Sequence, residues 1–355
     1  MSVLLWLLLL VPAQESARVR SHGASFRGLG DLPGGGFHSR GLALSDDGRV
    51  AVGTSASLSA GDEGFLWTLE HGMQPLGGLP GAESSSEPRA LTPDAVYLVG
   101  KTASPRGICE AGRWSRAEGW IPLGDLAGGD FASGALALTS DGSRIAGWGL
   151  SARGYEAVVW EHGVLRSIGD LPGGPVHAAA ALISKDGSRV VGTGTSARGS
   201  EAFLWTEAEG FKRLGDLAGG EISSEPFGAT PDCGIVVGES TSSSGIEAFV
   251  WTAADGMRGL GDLAGGAFES RAFDVSDDGR IIVGAGIGAG GPAAFVWERA
   301  RGMSSLASFL LQAGAADVQG WTLAEANAIS ADGRTVVGTG RNPAGETEAW
   351  LARLR

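Results

Sequence analysis

The chain has 355 residues, 61 of them glycine; only 19% are charged, and the formal net charge is −13. That charge repels polyanions and no basic cluster offsets it, so nucleic acid is excluded as a partner. There are two cysteines, neither with a Cys or His companion at ligand spacing, so a disulfide scaffold and a thiolate metal site are excluded too.

The chain opens with MSVLLWLLLLVPAQES. Val3–Val11 is an apolar run too short to cross a bilayer. Val11-Pro12-Ala13 resembles a small-residue cleavage site, so residues 1–13 read as a signal peptide, although no Lys or Arg precedes the run. Residues 14–24 read as a linker. No other segment approaches the length of a spanning helix, so no transmembrane segment is expected. The expected location is extracellular, periplasmic or on the cell surface.

From residue 25 onward the sequence repeats itself. A tryptophan closes an apolar run at Trp67, Trp114, Trp160, Trp205, Trp251, Trp297 and Trp350, with spacings of 47, 46, 45, 46, 46 and 53. The Asp of an Asp-Gly-type turn recurs at Asp47, Asp94, Asp141, Asp186, Asp232, Asp278 and Asp332. A Gly-Asp-Leu recurs at Asp31, Asp125, Asp170, Asp216 and Asp262. Three anchors agree on seven repeats, and a period of this length signals a solenoid or propeller.

The first repeat holds four strand-like pieces: Ser39–Ser45, Arg49–Thr54, Gly64–Thr68 and Met73–Leu79. Val, Ile, Leu and Phe fill them, and Gly, Asp and Ser clusters bound them. Asp47-Gly48 reads as a tight hairpin turn. Four antiparallel strands repeated seven times predict an all-β, seven-bladed β-propeller. Its blades are predicted at 39–79, 86–127, 133–172, 178–218, 224–264, 270–307 and 324–355. Residues 25–32 form a fourth strand with no blade before them, and the seventh repeat lacks one. The N-terminal strand is therefore predicted to complete the last blade, which removes an open sheet edge. Ser304–Gly314 is extra to the repeat. Leu306, Phe309, Leu310 and Ala313 at helical spacing predict one short helix there, capped by Ser304 or Ser305 and ended by Gly314.

Gly169–Gly174 reads GDLPGG, Ile183–Gly187 reads ISKDG, Val190–Gly192 reads VVG and Glu201–Trp205 reads EAFLW. On these motifs the chain resembles the bacterial extracellular HAF-repeat family over nearly all of Leu29–Leu351. The resemblance implies bacterial secretion and a propeller, and implies no activity. Departures are local: Ala95 replaces the turn glycine of the second repeat, whose GGLPG is shortened, and Ala178 replaces the usual Ser of the fourth.

Residues shared by all copies read as structure. The Ser/Thr two before each turn Asp (Ser45, Thr92, Thr139, Ser184, Thr230, Ser276, Ser330) is expected to bond the turn backbone. Cys109 and Cys233 fall on loops of opposite faces and are expected to be free thiols. Function is expected where the copies differ. Seven before each turn, at the predicted channel mouth, stand Arg40, Glu87, Gly134, Ala179, Glu225, Arg271 and Glu325, with His38, Arg89 and His177 nearby. Asp274 is a carboxylate in a column otherwise of Ala, Gly and Leu, and its burial would require a partner such as Arg271 or a water.

These features predict a monomeric, non-catalytic binding scaffold for an extracellular glycan, peptide or protein, with no cofactor required. Two other readings remain. One is a glycosidase or lyase using carboxylates among Glu87, Glu225, Glu325 and Asp274. The other is calcium-dependent adhesion.

Overall fold

The computed structural model describes residues 23–58 and 61–354. The expected signal peptide and all but the end of the expected linker lie outside them. Among the described residues there are 28 strands, one α-helix and one 3-10 turn. The strands group in fours. Gly34–Leu44, Val50–Ser57, Asp62–Thr68 and Gly72–Pro75 form the first blade, each antiparallel to the next. Six further groups repeat the pattern around an axis and give a seven-bladed β-propeller.

The last blade is Thr322–Ile329, Thr335–Arg341 and Thr347–Arg353, completed on its outside by Ser25–Gly28. Phe26 stands opposite Ala352, Gly28 stands opposite Trp350, and the Leu29 amide donates to the Ala349 carbonyl at 2.9 Å. Chain start and chain end thus share one sheet. Phe26 is buried against Trp321 and Trp350, with ring centroids 5.1 and 5.9 Å away. The insert after blade six forms the helix Leu306–Gln312, whose N-cap Ser305 accepts from the Ser308 amide. Leu306 and Leu310 are fully buried in the same core as Phe26.

The second strand runs on to Ser57 and the third begins at Asp62, both longer than the sequence reading, and two further strand ends differ. The first strand starts at Gly34 rather than Ser39, because Gly34 already faces Ser57 in the ladder. A glycine run carries no alternating side chains, so periodicity misses it while the backbone still pairs. The fourth strand stops at Pro75 rather than Leu79. Proline contributes no N–H to a ladder, and Gly77 then turns at φ 68°.

The repeated polar residues hold the turns and join the blades. In every blade the Ser/Thr hydroxyl lies 2.6–2.8 Å from the turn Asp Oδ1. The same hydroxyl accepts the amide that opens the second strand, as Ser45 does from Val50 at 3.0 Å. Ala95 and Cys233 fill the glycine slot of their turns at φ 55° and 52°. A second serine staples neighbours. Ser39 Oγ donates to the Gly30 carbonyl and accepts the Ala349 amide at 3.0 Å; Ser86, Ser133, Ser224 and Ser270 do the same for their preceding blades. The glutamate heading most third strands is likewise structural. Glu63, Glu247 and Glu348 accept the amides of Gly77, Gly261 and Gly30, each at 2.9–3.1 Å.

Each innermost strand carries a register shift four to six residues before its turn Asp. A Cβ on Gly41, before the extra residue, would meet blade seven, and one on Gly228, after it, would meet Asp274 of blade six. The extra residue between such flanks is turned to the axis, as bulges re-aim side chains. These seven residues are Leu42, Arg89, Leu136, Ala181, Phe227, Phe273 and Asn327. Phe227 and Phe273 meet edge to face at 5.7 Å, and Asn327 Nδ2 donates to the Gly41 carbonyl at 2.8 Å. The channel wall is therefore mostly apolar.

The turn end of the channel is narrowed by a collar of turns. The Ser140 amide donates to Lys185 O, Lys185 to Pro231 O, Asp277 to Ala331 O and Ala331 to Asp46 O, at 2.8–3.2 Å. Lys185 Nζ reaches across the axis, in contact with Asp46 and 3.3 Å from Asp277. Burial works against its charge, yet those two carboxylates hold its pKa above the ordinary lysine value.

Candidate functional site

The open end of the channel is built by the heads of the innermost strands and the loops between second and third strands. Each head residue has a cross-strand partner on the second strand. Arg40 faces Thr54, Glu87 faces Lys101, Gly134 faces Trp148, Ala179 faces Thr193, Glu225 faces Glu239, Arg271 faces Ala285 and Glu325 faces Thr339. The mouth is thus a double ring, and most of its chemistry varies from blade to blade.

The expected site residues fall into three groups. Arg40 of blade one pairs with Glu325 of blade seven at 3.4 Å. Glu87 contacts Arg89 and lies 3.0 Å from Lys101 Nζ. Arg40, Glu87, Arg89 and Lys101 border a cleft of about 390 Å³ between blades one and two, on whose wall Cys109 also lies. Cys109 and Cys233 are both free thiols, as expected; burial raises both, Cys233 to about 12.

The second group is acidic. Arg271 contacts Glu239 and lies 2.5 Å from Glu269. Glu225 stands opposite Glu239 without sharing that arginine. The enclosing mouth and then the Glu239 charge push Glu225 above the usual carboxylate range.

Asp274 is not part of either group. It sits three residues deeper along its strand, toward the collar, and is half-buried there. The partner expected from sequence, Arg271, is committed to Glu239 and Glu269. Asp274 instead accepts the Ile329 amide of blade seven at 2.8 Å and the Val275 amide at 2.8 Å. A strand edge facing the channel has no ladder partner, and the carboxylate supplies one. Burial outweighs these bonds and raises Asp274 to about 7.

The third group is aromatic and includes residues the sequence reading passed over. His177 stacks edge to face on Tyr155 at 5.4 Å, and Tyr155 on Trp148 at 5.4 Å. The ladder occupies blades three and four, where the head residues are Gly134 and Ala179. A Cβ on Gly134 would come within 2.7 Å of the Trp148 indole, so the glycine makes its space. Tyr155 remains 39% exposed. His177 is held by its backbone: its amide donates to Asp170 Oδ2 at 2.9 Å and its carbonyl accepts from Thr195 at 3.2 Å. His38 is half-buried, and its carbonyl accepts from Ser55 at 3.0 Å. Aligning the residue after each Val-Gly-type pair yields Thr54, Lys101, Trp148, Thr193, Glu239, Ala285 and Thr339, a column in which Trp148 stands out.

Among the described residues no group of three or more His, Cys, Asp or Glu is placed to hold a metal ion, and no helix is long and apolar enough to cross a membrane.

No protein-family model matches the chain, and no curated protein matches it in sequence. Solved structures do match in fold. An oligogalacturonate lyase in complex with manganese superposes with a TM-score of 0.57 at 13% identity, over 88% of each chain. An oligogalacturonate lyase from Vibrio parahaemolyticus gives 0.52 at 9% identity, over 94% of this chain and 98% of that one. The β-propeller domain of the trilobed protease from Pyrococcus furiosus gives 0.51 at 14% identity, over 76% and 84%. That domain is described as having an open velcro topology, whereas Ser25–Gly28 closes the ring here. At these identities the likeness speaks for the propeller fold alone.

Proposed function

We infer that this propeller is a secreted, non-catalytic binding scaffold of the HAF-repeat type, and that its mouth receives a polar ligand, best fitted by a glycan. The observation that carries this reading is the break in sevenfold symmetry at the mouth. There an aromatic ladder, Trp148–Tyr155–His177, half-buried at Trp148 and exposed at Tyr155 and His177, lies beside the paired charges Arg40–Glu325 and Glu87–Lys101. Aromatic faces pack against the apolar faces of sugar rings, and ion-paired side chains offer fixed donors and acceptors to hydroxyls. The same charges are mostly neutralised in pairs, which suits recognition better than proton transfer.

The enzyme reading has one specific observation in its favour. Glu225, raised above the usual carboxylate range, stands across from Glu239, and a facing pair of carboxylates is the arrangement a glycosidase uses. Against it, Glu239 is held by Arg271.

A glycan and peptide array probed with the protein tests both. Binding to a saccharide class is expected, abolished by combining Glu87→Gln with Glu225→Gln and weakened about tenfold or more by Trp148→Ala. Binding untouched by all three substitutions would move the site off the mouth. Release of new reducing ends or unsaturated products, lost in Glu225→Gln, would replace the binding reading with the enzymatic one.

A further inference from the structure

The mouth opens onto a shaft of the opposite chemistry. Two residues below the heads Arg40, Glu225 and Arg271 stand Leu42, Phe227 and Phe273, and two below Gly134 and Ala179 stand Leu136 and Ala181. The strand bulges turn all five to the axis, and each keeps part of its surface accessible. Phe227 and Phe273 form an aromatic wall on blades five and six. Leu42 and Arg89 also line the cleft of about 390 Å³ at the mouth, so mouth and shaft are one continuous space.

The two polar residues of the shaft wall are already engaged. Asn327 Nδ2 donates to the Gly41 carbonyl at 2.8 Å and lies 3.3 Å from Thr339 Oγ1. The Arg89 guanidinium contacts Glu87 above it, which leaves its aliphatic stem along the shaft. A sugar ring drawn down from the mouth would exchange water for hydrocarbon, and its hydroxyls would go unmatched. An alkyl chain would lose no hydrogen bond there and would release the water from five apolar side chains.

The far end is obstructed. Four residues of strand, about 13 Å at the usual rise, separate Leu42 from Asp46 of the collar. There Lys185 Nζ crosses the axis to Asp46 and Asp277, and the turn-to-turn bonds of Ser140, Lys185, Asp277 and Ala331 narrow the opening. A chain entering from the mouth therefore ends within the shaft.

We propose that the ligand of this propeller is an amphiphile: a saccharide head held at the mouth, carrying an alkyl chain that runs down the shaft. The head rests on the reading of the mouth as a saccharide site; the chain rests on the shaft alone.

Calorimetric titration of the full protein with n-octyl β-D-glucoside, kept below its micellar concentration, and with methyl β-D-glucoside tests the proposal, because the two probes share a head and differ in the chain. The octyl glycoside is expected to bind at least about tenfold tighter, each buried methylene being worth roughly fourfold, with a negative heat-capacity change. Ala181→Trp fills the shaft from blade four and is expected to bring the octyl glycoside to the level of the methyl one. Phe273→Ser makes the wall polar without filling it and is expected to weaken octyl binding about fivefold or more, so the result does not hang on a variant that must fold around a larger side chain. Equal binding of the two probes, no binding of the octyl glycoside, or octyl binding indifferent to both variants overturns the proposal. Octyl binding that is lost with the shaft variants but ignores the Glu87→Gln, Glu225→Gln double variant would keep the chain in the shaft and overturn the reading of the mouth.

Discussion

Phe26→Ala is expected to lower the melting temperature by about 4–7 °C, corresponding to roughly 3–5 kcal/mol for an aromatic side chain removed from a packed core. Phe26 is 5% exposed and shares its core with Trp350, Leu306 and Leu310. The substitution leaves a cavity where the first strand of the chain meets the last. It also weakens the contact that keeps blade seven from presenting an open edge. Arg27, next along the same strand, is exposed, and Arg27→Ala is expected to change stability by no more than about 0.5 kcal/mol. Thermal melts of the two variants by circular dichroism make the comparison. Equal, small effects would mean that closure by the N-terminal strand contributes little.

Asp274 is expected to make the protein more stable in mild acid than at neutral pH. The folded protein holds this proton up to about pH 7, whereas in the unfolded chain the carboxyl releases it near 3.8. Between these values unfolding releases a proton, so stability rises as pH falls. The slope is about 1.4 kcal/mol per pH unit and the whole window is worth at most about 4 kcal/mol. The turn carboxylates act in the other direction and lower down. Hydrogen bonds from Thr139 and Ser143 hold Asp141 at about 2, and those from Ser184 and Ser188 hold Asp186 at about 2. Their stabilisation is present above pH 4 and lost as pH falls toward 2, below the Asp274 window. Asp274→Asn keeps an oxygen for the Ile329 amide and removes the titration. Denaturant unfolding between pH 4.5 and 7.5 is expected to show the slope in the parent and a flatter profile in the variant. A parent profile already flat over that range would contradict the assignment.

How far the sequence carried depends on whether a residue repeats. Seven copies of Ser/Thr-x-Asp and of the closing Trp made the turns and blade cores readable, because each copy repeats the same physical task. The unpaired strands at the two ends made the closure readable, since an unmatched fourth strand needs a sheet. The short helix was readable from its cap and spacing. Side-chain pairing at the mouth was not. Arg271 lies in the same strand as Asp274, and proximity in sequence suggested a pair; but they stand two ladder steps apart, opposite Ala285 and Val283, and Arg271 at the mouth meets Glu239 and Glu269 while Asp274 takes the Ile329 and Val275 amides. The channel wall is not legible in the sequence, because a bulge shifts the alternation by one residue and turns Phe227 and Phe273 to the axis. Trp148 was overlooked because it stands on the second strand, where the head-of-strand column does not pass.

On the proposed reading, repeated residues build the ring and unrepeated ones bind. Replacing Arg40, Glu87, Glu225, Arg271 and Glu325 together by alanine, the residue blade four already carries at that position, tests it most directly. The melting temperature and the array profile of that protein are measured side by side. A folded propeller is expected, melting within about 5 °C of the parent, that has lost its saccharide binding. A folded variant that still binds as the parent does would contradict it.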